Sequence, residues 1–203
     1  MKKLLTMLLV VSLVGCQQAS TGANTEVELV EETTETITEE ESDKPVEEKQ
    51  KLWECPTCTE NEKYVLKELQ VTAKITDKYA LATILGNIQQ ESRFIPNICE
   101  GGARVQYNQC HRGGYGMIQW TTQRRYDGLG FFSSKYGCNP SELKCQTRYM
   151  INELEFQKTL HMFRTEGKPV SYYMKAAYYW LGWGIEGPRV QYTNQYLKQM
   201  VQV

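Results

Sequence analysis

The strongest apolar pattern in the chain runs from Asp77 to Pro96, DKYALATILGNIQQESRFIP. Ala80, Leu81, Ile84, Leu85 and Ile88 recur at spacings of three and four. That periodicity lays them along one face of an amphipathic helix, with Asp77 standing where an N-cap is needed. Glu91 follows Ile88 by three positions and Ile84 by seven, so it prolongs the apolar stripe instead of facing water. A carboxyl at the end of a buried stripe is partly desolvated, which disfavours its charged form and raises its pKa. General acid catalysis asks for that property. The alternative is a boundary glutamate paired with Arg93 or another base, and the helix alone does not separate the two.

The same periodicity predicts helices along most of the remaining chain after residue 53. One covers Glu62 to Ile75, with Tyr64, Val65, Leu69 and Ala73 inward. TTQRRYDGL at 121–129 turns into another, through Phe131 and Phe132. A long helix runs from about Ser141 to Phe163, with Leu143, Met150, Leu154 and Leu160 on one side. Pro169 opens a helix through Trp180; Gly182, Gly184 and Gly187 break it, and Pro188, suited to a first turn, starts a last helix ending near Met200. Residues 97–116, NICEGGARVQYNQCHRGGYG, are glycine-rich with two cysteines and read as a disulfide-pinned loop or short hairpin. Period-two alternation is scarce. The expected fold is mainly α, α+β at most.

The N-terminal pattern is of a different kind. Lys2 and Lys3 precede LLTMLLVVSLVG, an apolar core too short to span a membrane permanently. It ends in LVGC, which resembles the lipobox of bacterial lipoproteins and implies cleavage before Cys16 and lipidation of its thiol. Residues 1–16 are thus expected to be a signal peptide, with lipidated Cys16 as the mature N-terminus. An uncleaved anchor or an ordinary secretory signal is the alternative. Localisation is expected to be exported and membrane-anchored; Gln17, in place of Asp, favours the periplasmic face of the outer membrane in a Gram-negative cell.

Residues 17–52 are Glu/Thr-rich and nearly devoid of aromatics, so they are expected to form an acidic disordered tether. The formal net charge of -1 hides this asymmetry. Residues 1–52 carry 11 of the 24 acidic and 5 of the 23 basic side chains, leaving residues 53–203 basic by about 5 charges. A mildly basic domain suits an acidic target, weakly.

Six cysteines remain beyond Cys16: Cys55, Cys58, Cys99, Cys110, Cys138 and Cys145. An even set in an exported domain reads as disulfides, most simply the local pairs 55–58, 99–110 and 138–145. Two alternatives exist for CPTC at 55–58. A redox-active pair belongs in a βαβ context, which is not visible here. A zinc site with Cys110 and His111 has the spacing of no common finger. No metal or nucleotide motif occurs, so neither a cofactor nor a nucleic-acid partner is expected.

At this point a resemblance is carried by residues in succession. QES with FIP at 89–96, followed by GYGMIQW at 114–120, is similar to the lysozyme-like superfamily, and in particular resembles the phage tail-type lysozymes. Gly86, Asn87, Glu91 and Ser92 match the helix end of that pattern. Gly114, Gly116, Gln119, Trp120 and Thr121 match the next motif, then Gln146, Glu153 and Leu154, and finally Glu186 with Pro188. The chain departs from it in Gly187 before the proline and in the extra cysteine-bearing loop between the first two motifs.

The resemblance implies a lysozyme-like domain over 53–203 that cleaves peptidoglycan glycan strands without a cofactor. Glu91 is implied as general acid at the bond between N-acetylmuramic acid and N-acetylglucosamine, with Gln119, Thr121 and Glu186 as substrate contacts. Tyr115 and Trp120 would offer stacking faces, with core packing as the alternative for Trp120. The second carboxylate of a two-carboxylate mechanism is open among Glu100, Asp127, Glu153 and Glu186. Lytic transglycosylase chemistry, or a non-catalytic glycan-binding wall lipoprotein, are the alternatives.

The LVGC motif yields a direct expectation. Cys16→Ser should move the full-length protein from the membrane fraction to the soluble fraction. Unchanged, detergent-requiring association would mean that the apolar core stays uncleaved.

Overall fold

The computed structural model describes residues 52–111 and 113–203; the expected signal, Cys16 and the tether up to Lys51 lie outside the described residues. The described residues form seven α-helices, a short 3₁₀ turn at Tyr107–Gln109 and one two-stranded pair. The strands are β1 (Trp53–Glu54) and β2 (Val201–Gln202), antiparallel, which ties the start of the domain to its end. The helices are α1 (Glu60–Val71), α2 (Lys78–Ser92), α3 (Gln123–Tyr136), α4 (Leu143–Asn152), α5 (Leu154–Phe163), α6 (Val170–Leu181) and α7 (Arg189–Gln199). The fold is mainly α.

Helix α2 is the axis of the packing. Asp77 caps it as expected, its Oδ1 accepting from the N–H of Tyr79 at 2.7 Å and Ala80 at 3.0 Å. Leu81, Ile84, Leu85 and Ile88 are fully buried, each contributing about 1.5–3 kcal/mol relative to exposure. The helix is not amphipathic, though. Ala82, Thr83, Gly86 and Asn87, on the side that polarity would assign to water, are buried as well. Thr83 returns its hydroxyl to Tyr79 O and Asn87 donates its amide to Thr83 O, while Asn87 Oδ1 is buried without a partner among the described residues. Gly86 permits the tightest approach: a Cβ there would stand 2.6 Å from the backbone N of Thr193 on α7.

The long helix expected from Ser141 to Phe163 is two helices. Glu153 breaks it, with extended backbone angles of φ -69 and ψ 150, ending α4 and beginning α5. Its side chain turns inward, and Leu154, expected to face the core, is left 54% exposed. The cause is what Glu153 meets inside. Arg125 of α3 donates to both carboxylate oxygens, at 2.9 and 2.6 Å, and the indole N–H groups of Trp120 and Trp180 donate at 3.1 Å each. Four donors satisfy a carboxylate whose side chain is only 2% exposed.

All three local disulfides form: Cys55–Cys58, Cys99–Cys110 and Cys138–Cys145. The loop at 97–116 is a small irregular hairpin. Ile98 bridges to Arg104, and Cys99 bridges to Tyr115, which itself bridges to Trp120.

Two substitutions test this architecture. Glu153→Gln deprives buried Arg125 of its counter-charge, and breaking such a pair costs roughly 3–5 kcal/mol; chemical denaturation should show a loss of that size. Gly86→Ala forces α7 outward, and overpacking of this kind costs about 1–3 kcal/mol. Denaturation of the Ala variant at wild-type stability would mean that the α2–α7 approach is looser than described.

Candidate active site

Glu91 lies in the last turn of α2, where the helix leaves the core, and its side chain is 16% exposed. Two consecutive left-handed residues, Arg93 (φ 54) and Phe94 (φ 60), end the helix and fold the chain sharply away. Non-glycine residues in this region carry backbone strain, held here by the burial of Phe94 against Tyr196. Ser92, the neighbour of Glu91, is buried and donates to Met117 O at 2.6 Å. This bond brings the QES helix end against the GYGMIQW turn.

Arg93 is exposed and is not the partner of Glu91. That partner is Arg189, 98 residues later, whose Nη2 donates to Glu91 Oε1. Pro188 precedes the first turn of α7, and the close α2–α7 approach at Gly86 carries Arg189 to the end of α2. Arg189 Nη1 also donates to Glu186 O at 2.9 Å and Ile185 O at 3.4 Å, while its guanidinium sits 4.6 Å from the Trp183 ring centroid. Its Nε is buried without a partner among the described residues. Burial pushes the Glu91 carboxyl above the usual carboxylate range; Arg189 and, more weakly, Arg125 pull against it without cancelling the effect.

The other expected contacts divide. Tyr115 and Trp120 have no exposed surface, so neither offers a stacking face. Tyr115 gives its hydroxyl to Ser141, and Trp120 gives its indole N–H to Glu153; both are structural anchors. Gln119 is half-buried and left-handed (φ 53), with its amide donating to Gly116 O at 2.9 Å, so it braces the turn as well as lining it. Thr121 is exposed and bonds Gln119 O. Glu186 has an exposed side chain and reaches Arg189 through its backbone carbonyl. Gln146, fully buried, accepts from Met117 N and donates to Pro96 O and Pro140 O, each at 2.7 Å, clamping both motifs together. A Cβ on Gly116 would come within 2.6 Å of that amide, which explains the glycine.

Among the carboxylate candidates, Glu153 is consumed by its four donors. Glu100 accepts from Gly114 N at 2.9 Å, and Asp127 accepts from Gln123 on its own helix. Arg189 and Trp183 were missed by sequence reasoning. The aromatic run YYMKAAYYWLGW at 172–183 divides: Tyr173 and Trp180 lie in the core, but Tyr178 is 49% exposed and packs its ring 5.6 Å from that of Trp183. No local signal links Arg189 to Glu91.

No curated protein and no solved structure gives a match to this chain. A family model, described as phage tail lysozyme, matches residues 60–199, from the first residue of α1 to the last of α7. That span contains the Glu91–Arg189 pair, the GYGMIQW turn and the Glu153 anchor, and the chain belongs to the phage tail lysozyme family.

Proposed function

We propose that the protein cleaves peptidoglycan glycan strands at the bond between N-acetylmuramic acid and N-acetylglucosamine, with Glu91 as general acid. The observation that carries this reading is a semi-buried carboxyl, raised in pKa, at the edge of a family member's central helix. Protonated Glu91 delivers its proton to the glycosidic oxygen as the bond breaks. Arg189 then stabilises the carboxylate left behind, which restrains the pKa rise and keeps the group exchangeable with solvent. The exposed edge of Tyr178 and the ring of Trp183 supply apolar faces beside the pair, in the role expected of Trp120 and Tyr115. Gln119, Thr121 and Glu186 are the proposed polar contacts. Membrane anchoring through Cys16 would place the domain at the wall.

Transglycosylation is the second reading, and one observation favours it. Of the four carboxylates open as a second catalytic group, Glu153 is spent on the core, and Glu100 and Asp127 are each engaged by local amides. Glu186 is the remaining choice for a hydrolytic base. Mass spectrometry of digested wall separates the outcomes: hydrated muramic ends with Glu186-dependence mean hydrolysis, and anhydro ends without it mean transglycosylation.

Glu91→Gln keeps the shape and an acceptor for Arg189 but removes the transferable proton. Cleavage should fall by about 10²–10⁴-fold, the usual worth of a general acid, while glycan binding persists. Wild-type activity should decline as pH rises through the elevated Glu91 pKa, because the acid is lost. Stability follows the same sign: protonation of Glu91 favours the folded state, so its contribution is complete below the unfolded pKa and fades as pH passes the folded one. The Gln variant should lack that fade. Wall cleavage by Glu91→Gln at the wild-type rate would sink the assignment.

A further inference from the structure

A concavity of about 550 Å³ lies away from Glu91, between the 3₁₀ turn, α3 and the segment before α4. Its size falls in the range of about 300–1,000 Å³ typical of small-molecule sites. Neither Glu91 nor Arg189 lines it. Its wall carries Gln106, Asn108 and Asn139 as amides, Ser134 as a hydroxyl, Asp127 as its one carboxylate, and Phe131. Phe131 is 76% exposed, an unusual position for a large apolar ring.

The site is built, not merely open. The Cys99–Cys110 disulfide pins the loop carrying Gln106 and Asn108, and Cys138–Cys145 pins the segment carrying Asn139. Between them, Tyr107 stacks on Tyr126 at 4.3 Å and donates its hydroxyl to Tyr126 O, while Ser141 Oγ accepts from Tyr107 N at 2.8 Å. The walls are therefore held in place before any ligand arrives, which lowers the ordering cost of binding.

The lining selects its ligand. No described lining residue is Lys or Arg, so phosphates and polyanions find no counter-charge. A single carboxylate is too few oxygens for a divalent cation. Asn139 is spent on its own turn, accepting from Ser141 N and donating to Glu142. The exposed amide of Asn108 can pair with an acetamido group, the second oxygen of Asp127 can take sugar hydroxyls, and Phe131 offers a flat face to the C–H side of a pyranose. The loop bearing Gln106 and Asn108 is the cysteine-bearing insertion by which this chain departs from the phage tail lysozyme pattern. We infer that this concavity is a second binding site for N-acetylated glycan, separate from the Glu91 site, which would hold the enzyme on the strand between cleavages. The inference rests on the peptidoglycan reading for the choice of glycan.

The test uses the full-length protein carrying Glu91→Gln, so that ligand is bound without being cut. Isothermal titration with a hexamer of β-1,4-linked N-acetylglucosamine should give two equivalents per chain. Adding Phe131→Ala and Asn108→Ala, both at exposed positions, should leave one equivalent; Phe131→Tyr, which keeps the ring, should restore the second. Two equivalents in the Ala variant, or one equivalent insensitive to Phe131 throughout, would overturn this inference alone. A chain binding no oligosaccharide at either site would overturn the parent reading too. A stem peptide that fills the Phe131-dependent site where the hexamer does not would replace glycan with peptide as its ligand.

Discussion

A carboxylate with almost no access to water, Glu153, accepts four N–H donors, and the arrangement of the helices around it follows from that requirement. A buried charge is strongly unfavourable unless paired and hydrogen-bonded. Arg125 brings α3 to it, Trp180 brings α6, and Trp120 brings the GYGMIQW turn, while Glu153 itself joins α4 to α5. Elements far apart in sequence converge because each supplies a donor that the others lack. Tyr149 adds a further tie, giving its hydroxyl to Arg125 O at 2.8 Å.

The described residues hold a second arginine–glutamate pair, Arg189 with Glu91, and the two pairs differ in environment. Glu153 is closed to solvent, and both of its oxygens are taken by donors. Glu91 has one charged donor, is partly exposed, and is pushed up in pKa by burial beyond what Arg189 offsets. Arg189 Nε is buried without a partner among the described residues, whereas both oxygens of Glu153 are taken.

Rigidity around the sites comes from short covalent loops and buried amides. Gln146 alone clamps residues 96, 117 and 140, and Ser92 ties the end of α2 to Met117, so Glu91 is positioned by a frame that side-chain motion at the surface does not disturb. The two disulfides flanking the concavity between the 3₁₀ turn and α3 do the same for its walls. Preorganisation of this kind would serve the proposed general acid, which has to meet one oxygen of the glycan.

Local signals were legible in the chain. Asp77 at the start of α2, Pro188 before α7, the buried stripe of Ala80, Leu81, Ile84, Leu85 and Ile88 and the place of Glu91 at its end could be read because caps and helical period act within one or two turns; burial of the opposite face could not. The disulfide pairs were readable for a similar reason, their cysteines being 3, 11 and 7 residues apart. Periodicity misled at 141–163, where it favoured one continuous helix; the Glu153 donors on distant elements outweighed local preference and turned that residue inward. Trp120 and Tyr115 as stacking faces failed likewise, since whether an aromatic is core or cleft depends on which elements close over it. Arg189 was beyond reach altogether. It meets Glu91 only because Gly86 lets α7 pack tightly on α2, and a contact across 98 residues leaves no trace in the composition or spacing around either partner.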